Sequence, residues 1–251
     1  MLLEDLIPQA KVLTTLNNKF AKYFFCKNNN RHISIYTSFD KRSFEFKKTQ
    51  SKYLSLVEFR FFKKSILFGG IHLPSKLTLP SGVSQAFVAH ETKLEVESIE
   101  NEIGHTNTIL VGDFNMNPFE LGMVEPNGFN SVMSRQVASA IMRKVSGLGT
   151  GSSKEYQYFY NPMWSFLGDL SNFSPGTYYF YENSFDNHYR WNMLDQILIR
   201  PSLISNFTSK SLQIIESDAH GNSLIDDKTK TKAKSQLCDH LPVIFSMDLT
   251  K

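Results

Sequence analysis

The sequence predicts a layered α/β (α+β) sandwich, on three observations. Apolar runs of strand length crowd the first half and return near the C-terminal end, helical spacing occurs only between such runs, and the even strand-helix alternation of a doubly wound parallel sheet is missing. Phe supplies 21 of the 251 residues, which suits tightly layered strands and helices better than a solvated surface.

Met1-Leu2-Leu3 reads as the end of a strand. Strands follow at Tyr23 to Cys26, His32 to Ser38, Tyr53 to Phe62 and Ser65 to Leu73. In the third, Ser55, Glu58 and Arg60 interrupt bulky apolar residues, as on a sheet with one wetter face. Gly69-Gly70 weakens the next run and signals a bulge or a close approach. Val83 to Ile103 carries apolar residues at helical spacing and stops at Gly104. Thr108 to Val111 is a short β-branched strand ended by Gly112, and a second helix is predicted over Ser131 to Val145, with Val137, Ala138, Ile141 and Met142 on one face. Residues 147 to 189 are loop-rich and aromatic. Asn192 to Ile199, Leu212 to Glu216 and Val243 to Leu249 read as strands, with Asp226 to Lys234 a solvated loop or hairpin tip.

At about 150 residues per domain the length allows one domain or two. With no repeat or Pro/Gly/Ser-rich linker, one domain over residues 1 to 251 is expected. A 41% hydrophobic content supports a sizeable core, and no apolar run of about 18 residues suggests a membrane span. The net charge of +3 is too weak to argue for nucleic acid alone. Cys26 and Cys238 have no ligand-like spacing, and Glu4 and Asp5 at the start do not suit a signal peptide. A cytoplasmic monomer is the expectation.

Four polar signals sit at or inside strand-like runs. Ile109-Leu110-Val111 leads into Gly112-Asp113-Phe114-Asn115-Met116-Asn117-Pro118. Gly112 permits a sharp turn, Asp113 offers a carboxylate, and Asn115 offers an amide on the same side of an extended backbone. The same residues also make an ordinary turn. Asp239-His240 precedes Leu241-Pro242 and a strand, either as a turn or as a carboxylate and imidazole dividing labour at a metal or phosphate. Asp195 lies within Met193 to Ile199, on a solvent face or paired, with His240 the candidate partner. His72, in Ile71-His72-Leu73-Pro74, is either structural or a second imidazole at a strand end.

In this order the signals resemble the endonuclease/exonuclease/phosphatase superfamily of DNase I-like nucleases, exonuclease III-like repair enzymes and lipid or inositol phosphoesterases. The matching residues are Ile71-His72-Leu73, Val111-Gly112-Asp113-Phe114-Asn115 with Pro118, Leu194-Asp195-Gln196-Ile197-Leu198 and Asp239-His240-Leu241-Pro242, spread over most of the chain. Phe159 to Trp164 and Gly176 to Tyr179 look like segments of bacterial members. The resemblance implies a four-layered sandwich of two packed mixed sheets flanked by helices, and a Mg²⁺-dependent hydrolysis, with Mn²⁺ as a substitute ion. By resemblance, Asp113 orients or deprotonates the attacking water and Asn115 donates to phosphoryl oxygens. Asp195 orients His240 against the scissile phosphate, Asp239 assists metal binding, and His72 donates to phosphate or the leaving group.

The family pattern begins with an Asn-bearing strand and a helix that have no counterpart here. Residues 1 to 5 resemble the end of its second strand, which makes Glu4 either the metal-binding carboxylate or an exposed acid. A nuclease is the leading expectation. The alternatives are a phosphatase or phosphodiesterase for a small or lipid-linked phosphate, and a catalytically impaired binding module. Lys41, Arg42, Lys47, Lys48, Lys52, Arg60, Lys63 and Lys64 make a basic stretch that suits a DNA or RNA backbone or, equally, a strand edge guarded against aggregation.

Overall fold

The structure is a computed structural model that describes residues 2–3, 7–26, 32–61, 64–140, 142–147, 153–180, 189–225 and 239–249. In chain order its strands are β1 (Leu2–Leu3), β2 (Phe24–Cys26), β3 (Ser34–Thr37), β4 (Phe44–Lys47), β5 (Leu54–Phe61), β6 (Lys64–His72), β7 (Thr108–Asp113), β8 (Ser131–Val132) and β9 (Met142–Ser146). They continue as β10 (Ser153–Gln157), β11 (Phe159–Tyr160), β12 (Tyr178–Tyr179), β13 (Trp191–Asn192), β14 (Asp195–Ile199), β15 (Gln213–Ile214) and β16 (Val243–Ile244). The helices are α1 (Gln9–Leu16), α2 (Gly82–Ile103) and the single turns α3 (Leu121–Val124) and α4 (Arg135–Ala138).

A seven-stranded mixed sheet in the order β4-β5-β6-β7-β14-β11-β8 forms the centre. β6 and β7 are parallel, so the chain must cross over between them, and α2 is that crossover. The Ser81 hydroxyl caps its first turn by accepting from Val83 N, and Gly104, at φ +74°, closes its end. Ala89, Val96 and Ile99 of α2 cover Leu54, Leu56, Leu67, Leu110 and Leu198 on one face of the sheet. Because strand side chains alternate, Val57, Phe59, Ile66, Ile109, Val111, Ile197 and Ile199 point the other way. There they meet a second layer made of one sheet in the order β1-β3-β2 and a separate pair, β15 and β16. The Phe-rich composition is spent here: Phe59 lies within about ring contact of Phe39, Phe44, Phe61 and Phe68, at 5.8, 5.9, 6.1 and 6.2 Å between centroids.

Gly69 and Gly70 mark a close approach without a bulge, since the register of β5 to β6 to β7 runs through them unbroken. A Cβ on Gly69 would stand 2.5 Å from a Leu110 methyl, and one on Gly70 would stand 2.5 Å from a Leu2 methyl. The helix expected over Ser131 to Val145 does not form. Ser131–Val132 joins the central sheet beside β11, α4 is one turn, and Met142–Ser146 pairs antiparallel with Ser153–Gln157. The alternating exposure of Met142 to Ser146 is the two-residue period of a hairpin, which outcompetes the helical spacing of Val137, Ala138 and Met142. The expected strand Val243 to Leu249 is regular only at Val243–Ile244, and the run Asn192 to Ile199 is broken between β13 and β14. Asp226 to Lys234 lies outside the described residues.

Candidate active site

Three neighbouring strands end together. In the parallel register of β6 and β7, His72 stands opposite Asp113, and in the antiparallel register of β7 and β14, Asp113 stands opposite Asp195. All three side chains therefore share one face of the sheet, and His72 Nε2 lies 3.8 Å from Asp113 Oδ2. Gly112, at φ +132°, makes this convergence possible, because a Cβ there would collide with the Ile71 carbonyl.

Asp113 is buried. Burial first, and then the negative charges of Asp195 and Asp239, push its carboxyl up to about 7, against the opposing charge of His240 and a hydrogen bond from Asn115 N. Asn115 adopts φ +49°, folding back so that its backbone N–H reaches Asp113 Oδ1 at 2.7 Å. Its side-chain Nδ2 donates to Asp113 Oδ2 at 2.5 Å and to Leu73 O at 2.8 Å, so both amide hydrogens are committed within the protein. Gln85 of α2 donates to Asn115 O at 3.0 Å and ties the helix to this loop.

His240 arrives from the C-terminal end of the chain, with its Nδ1 2.8 Å from Asp195 Oδ2. Burial works against its charge, but the Asp195 carboxylate and hydrogen bond, with Asp113 and Asp239 behind them, raise it to about 10. It is an imidazolium at neutral pH. The Tyr178 ring packs on it at 4.9 Å between centroids. Asp239 is exposed beside it, and Glu4 lies outside the described residues. His72, Asp113, Asn115, Asp195, His240 and Asp239 thus gather at one end of the sheet.

Other residues, which lie in or near the matching segments but are given no role by them, hold this cluster. Thr177 accepts from Asp195 N through its hydroxyl at 3.1 Å and from Leu241 N through its carbonyl at 2.7 Å, clamping the two strands that carry the Asp-His pair. Below it, Asn117 donates to Asn192 Oδ1 and accepts from Met193 N, while Asn161 donates to Gln196 Oε1 at 2.7 Å and Gln196 donates to Met116 O at 2.5 Å. Buried amides in a closed network hold the loop after β7 against β14. Thr177 follows Gly176, where a Cβ would press within 2.6 Å of Asn192 O. Beside the site, Phe119 packs against Trp164 and Tyr189 at 6.3 and 5.3 Å between centroids, with Phe119 and Tyr189 exposed.

Three cations of the basic stretch are paired with acids of its own strands and turns. Lys47 Nζ is 3.0 Å from Glu58, Arg60 bonds Glu45 and Glu58, and Arg42 bonds Asp40. Lys63 lies outside the described residues. Among the described residues, no helix is long and apolar enough to cross a membrane.

An endonuclease/exonuclease/phosphatase family protein from Leptotrichia buccalis has a similar structure, with a TM-score of 0.50 and 13% identity over 95% of this chain and 76% of that one. The fold is DNase I-like. TDP2 from D. rerio, complexed with a single-strand DNA product, gives a TM-score of 0.48 at 13% identity over 98% of this chain and 84% of that one. The 3' phosphatase NExo from Neisseria, bound to a product DNA hairpin, gives 0.45 at 11% identity over 98% and 85%. No family model and no curated protein matches the sequence. Within the DNase I-like fold, the cluster described above occupies the ends of central strands β6, β7 and β14.

Proposed function

We propose that the chain is a metal-assisted phosphoesterase that hydrolyses phosphodiester bonds of nucleic acid. The observation that carries this reading is the row His72, Asp113 and Asp195 across three adjacent strands, closed by the Asp195–His240 pair. It sets a carboxyl poised near neutral pH beside an imidazolium, the combination that water attack on a phosphate requires. Asp113, at about 7, accepts the proton of the attacking water. His240, cationic up to about pH 10, presents positive charge to the phosphoryl oxygens while Asp195 fixes its ring. His72 donates to phosphate or to the leaving oxygen. Asn115 holds the Asp113 carboxylate; its donation to a phosphoryl oxygen requires the amide to release Leu73 O or Asp113.

The donor set fits a hard divalent cation. Burial, with the charges of Asp195 and Asp239 behind it, holds Asp113 partly protonated at neutral pH, a carboxylate grouping that a cation would relieve, and oxygen ligands suit Mg²⁺ or Mn²⁺. Among the described residues no three ligating side chains converge, so Asp239 would hold the ion with waters, joined by Glu4. When bound, such an ion neutralises the phosphate and its leaving oxygen. The exposed rings of Phe119 and Tyr189 beside the site support a nucleic-acid substrate, because every base offers a face to stack on.

The test is turnover of plasmid DNA, single-stranded RNA and bis-p-nitrophenyl phosphate with Mg²⁺ or Mn²⁺, beside Asp113→Ala. Loss of about 10² or more in the variant is expected. Equal turnover would sink the mechanism, and cleavage of the small diester alone would remove nucleic acid from the proposal.

A further inference from the structure

The two loops that leave the sheet after His72 and after Asp113 are bonded to each other. Leu73 N donates to Asp113 O at 2.9 Å, and Asn115 Nδ2 donates in return to Leu73 O at 2.8 Å. Both loops are also held from α2, by the side chain of Gln85. Its Nε2 donates to Asn115 O at 3.0 Å and to Pro74 O at 3.4 Å. Gln85 is only 2% exposed.

Its place on the helix explains this reach. Gln85 stands one turn before Ala89, and residues four apart on a helix share a face. Ala89 packs into the core over the central sheet, so Gln85 carries the same face to the end where His72 and Asp113 emerge. A Cβ on Gly122 would stand 2.9 Å from the Ala89 Cβ, so the segment after β7 lies directly against the helix. A 22-residue helix seated on the sheet is a rigid base from which to fix a loop.

The orientation of the amide follows from its partners. Turned over, it would set its oxygen against two carbonyl oxygens and lose both bonds. As it stands, Oε1 is buried and has no hydrogen-bond partner among the described residues. An unpaired buried acceptor costs stability, and Met, with nearly the same shape, would fill the position without that cost. Packing alone therefore does not favour Gln here; donation to the two loops does. The carbonyl it holds at 3.0 Å belongs to Asn115, whose φ of +49° folds the chain back so that its backbone N–H and side-chain amide reach both oxygens of Asp113.

We propose that Gln85 is a positioning residue for the hydrolysis: through the Asn115 carbonyl it fixes the Asn115 turn, and through that turn the Asp113 carboxyl, in the orientation that meets the attacking water. This role presupposes Asp113 as the proton acceptor.

Steady-state hydrolysis of bis-p-nitrophenyl phosphate at saturating Mg²⁺ is compared among the wild-type chain, Gln85→Met, Asn115→Ala and the double variant, with urea unfolding of each. A reacting group misplaced by about 1 Å can lose about 10² in rate. Gln85→Met should accordingly lower kcat about tenfold or more with KM held within about twofold, while its urea midpoint stays at or above that of the wild type. In the Asn115→Ala background the same substitution should cost less than about threefold, because the side chain through which Gln85 acts is gone. Wild-type kcat in Gln85→Met, a loss confined to KM, or an undiminished further loss in the double variant would overturn the proposal. So would failure of both Gln85→Met and Gln85→Leu to fold, since Gln85 would then hold the fold and not the site. Asp113→Ala separates the two levels: wild-type turnover there removes the catalytic reading itself, whereas an inactive Asp113→Ala beside a fully active Gln85→Met removes only the role of Gln85.

Discussion

Replacing Asp195 by Asn should strip His240 of its charge at physiological pH. The two side chains are 16 and 19% exposed, so solvent screens their attraction only in part. His240 is lifted from 6.5 to about 10 against the pull of its own burial. At about 1.4 kcal/mol per pH unit, that lift is a net stabilisation of the charged ring on the order of 5 kcal/mol after burial is offset, supplied by Asp195, Asp113 and Asp239, with Asp195 the leading contributor and the only one of the three hydrogen-bonded to the ring. Asn preserves the shape and an acceptor oxygen but removes the charge. Burial then dominates, and His240 should titrate below about 8. The assay is a histidine ring titration by NMR in metal-free buffer, with the His240 signal assigned by its absence from His240→Gln. In the wild-type chain this signal should remain in its charged position through pH 8, whereas in Asp195→Asn it should move with a midpoint below 8. A variant that still titrated above 9 would show that Asp195 does not govern the imidazole, and the division of labour between the two residues would be lost.

Asp113→Asn, isosteric but unable to accept a proton, should lower kcat by about 10² to 10⁴ with little change in fold, measured as hydrolysis beside far-ultraviolet dichroism. Without metal, stability should fall as pH rises. The Asp113 carboxyl lies above its ordinary 3.8 and favours folding less between about 4 and 7, and His240 lies above 6.5 and loses its contribution between 6.5 and about 10. Urea midpoints across this range should decline, and the lower part of the decline should flatten in Asp113→Asn. Glu100→Ala should cost about 3 to 5 kcal/mol in urea unfolding. Arg200 is fully buried, bonded to Glu100 at 2.9 and 2.7 Å and stacked 3.9 Å from the Phe159 ring, and would be left without its main counter-charge.

Much of the central sheet is legible because its instructions are local. β5, β6 and β7 are apolar runs bounded by turn residues, and α2 carries both a cap and a stop signal. The candidate residues are legible as types, since an Asp inside Met193 to Ile199 or a His before Pro74 is chemically conspicuous. What the sequence does not contain is register. That His72, Asp113 and Asp195 stand side by side depends on which strand pairs with which and on a shift of no residue, because a slip of one would turn Asp195 to the opposite face. The short strand β8 is stabilised by β11, well along the chain, so local spacing misreads it as helix. Gly176 to Tyr179 is visible as a resemblance, but the role of Thr177 within it is not, because its contribution is two hydrogen bonds to residues distant in sequence.

The pairing of strands also explains why the charges of the site differ in character. Asp113 sits on a strand hydrogen-bonded on both sides, under Asn115 and beside Asp195, where water cannot solvate a second negative charge. Asp239 and His240 sit at the rim, just before β16. The rigid centre therefore holds the group that must be partly protonated near neutrality, and the rim holds the groups that must meet a multiply charged ligand and release it. A substitution that moves the carboxylate off the position of Asp113 should disturb activity even when total charge is kept. Asp113→Asn plus Asn115→Asp keeps the carboxylate count constant but moves the charge two residues onward, off the buried strand end. The double variant should be as inactive as Asp113→Asn alone, and recovery of activity would show that the buried position of Asp113 has no part in catalysis.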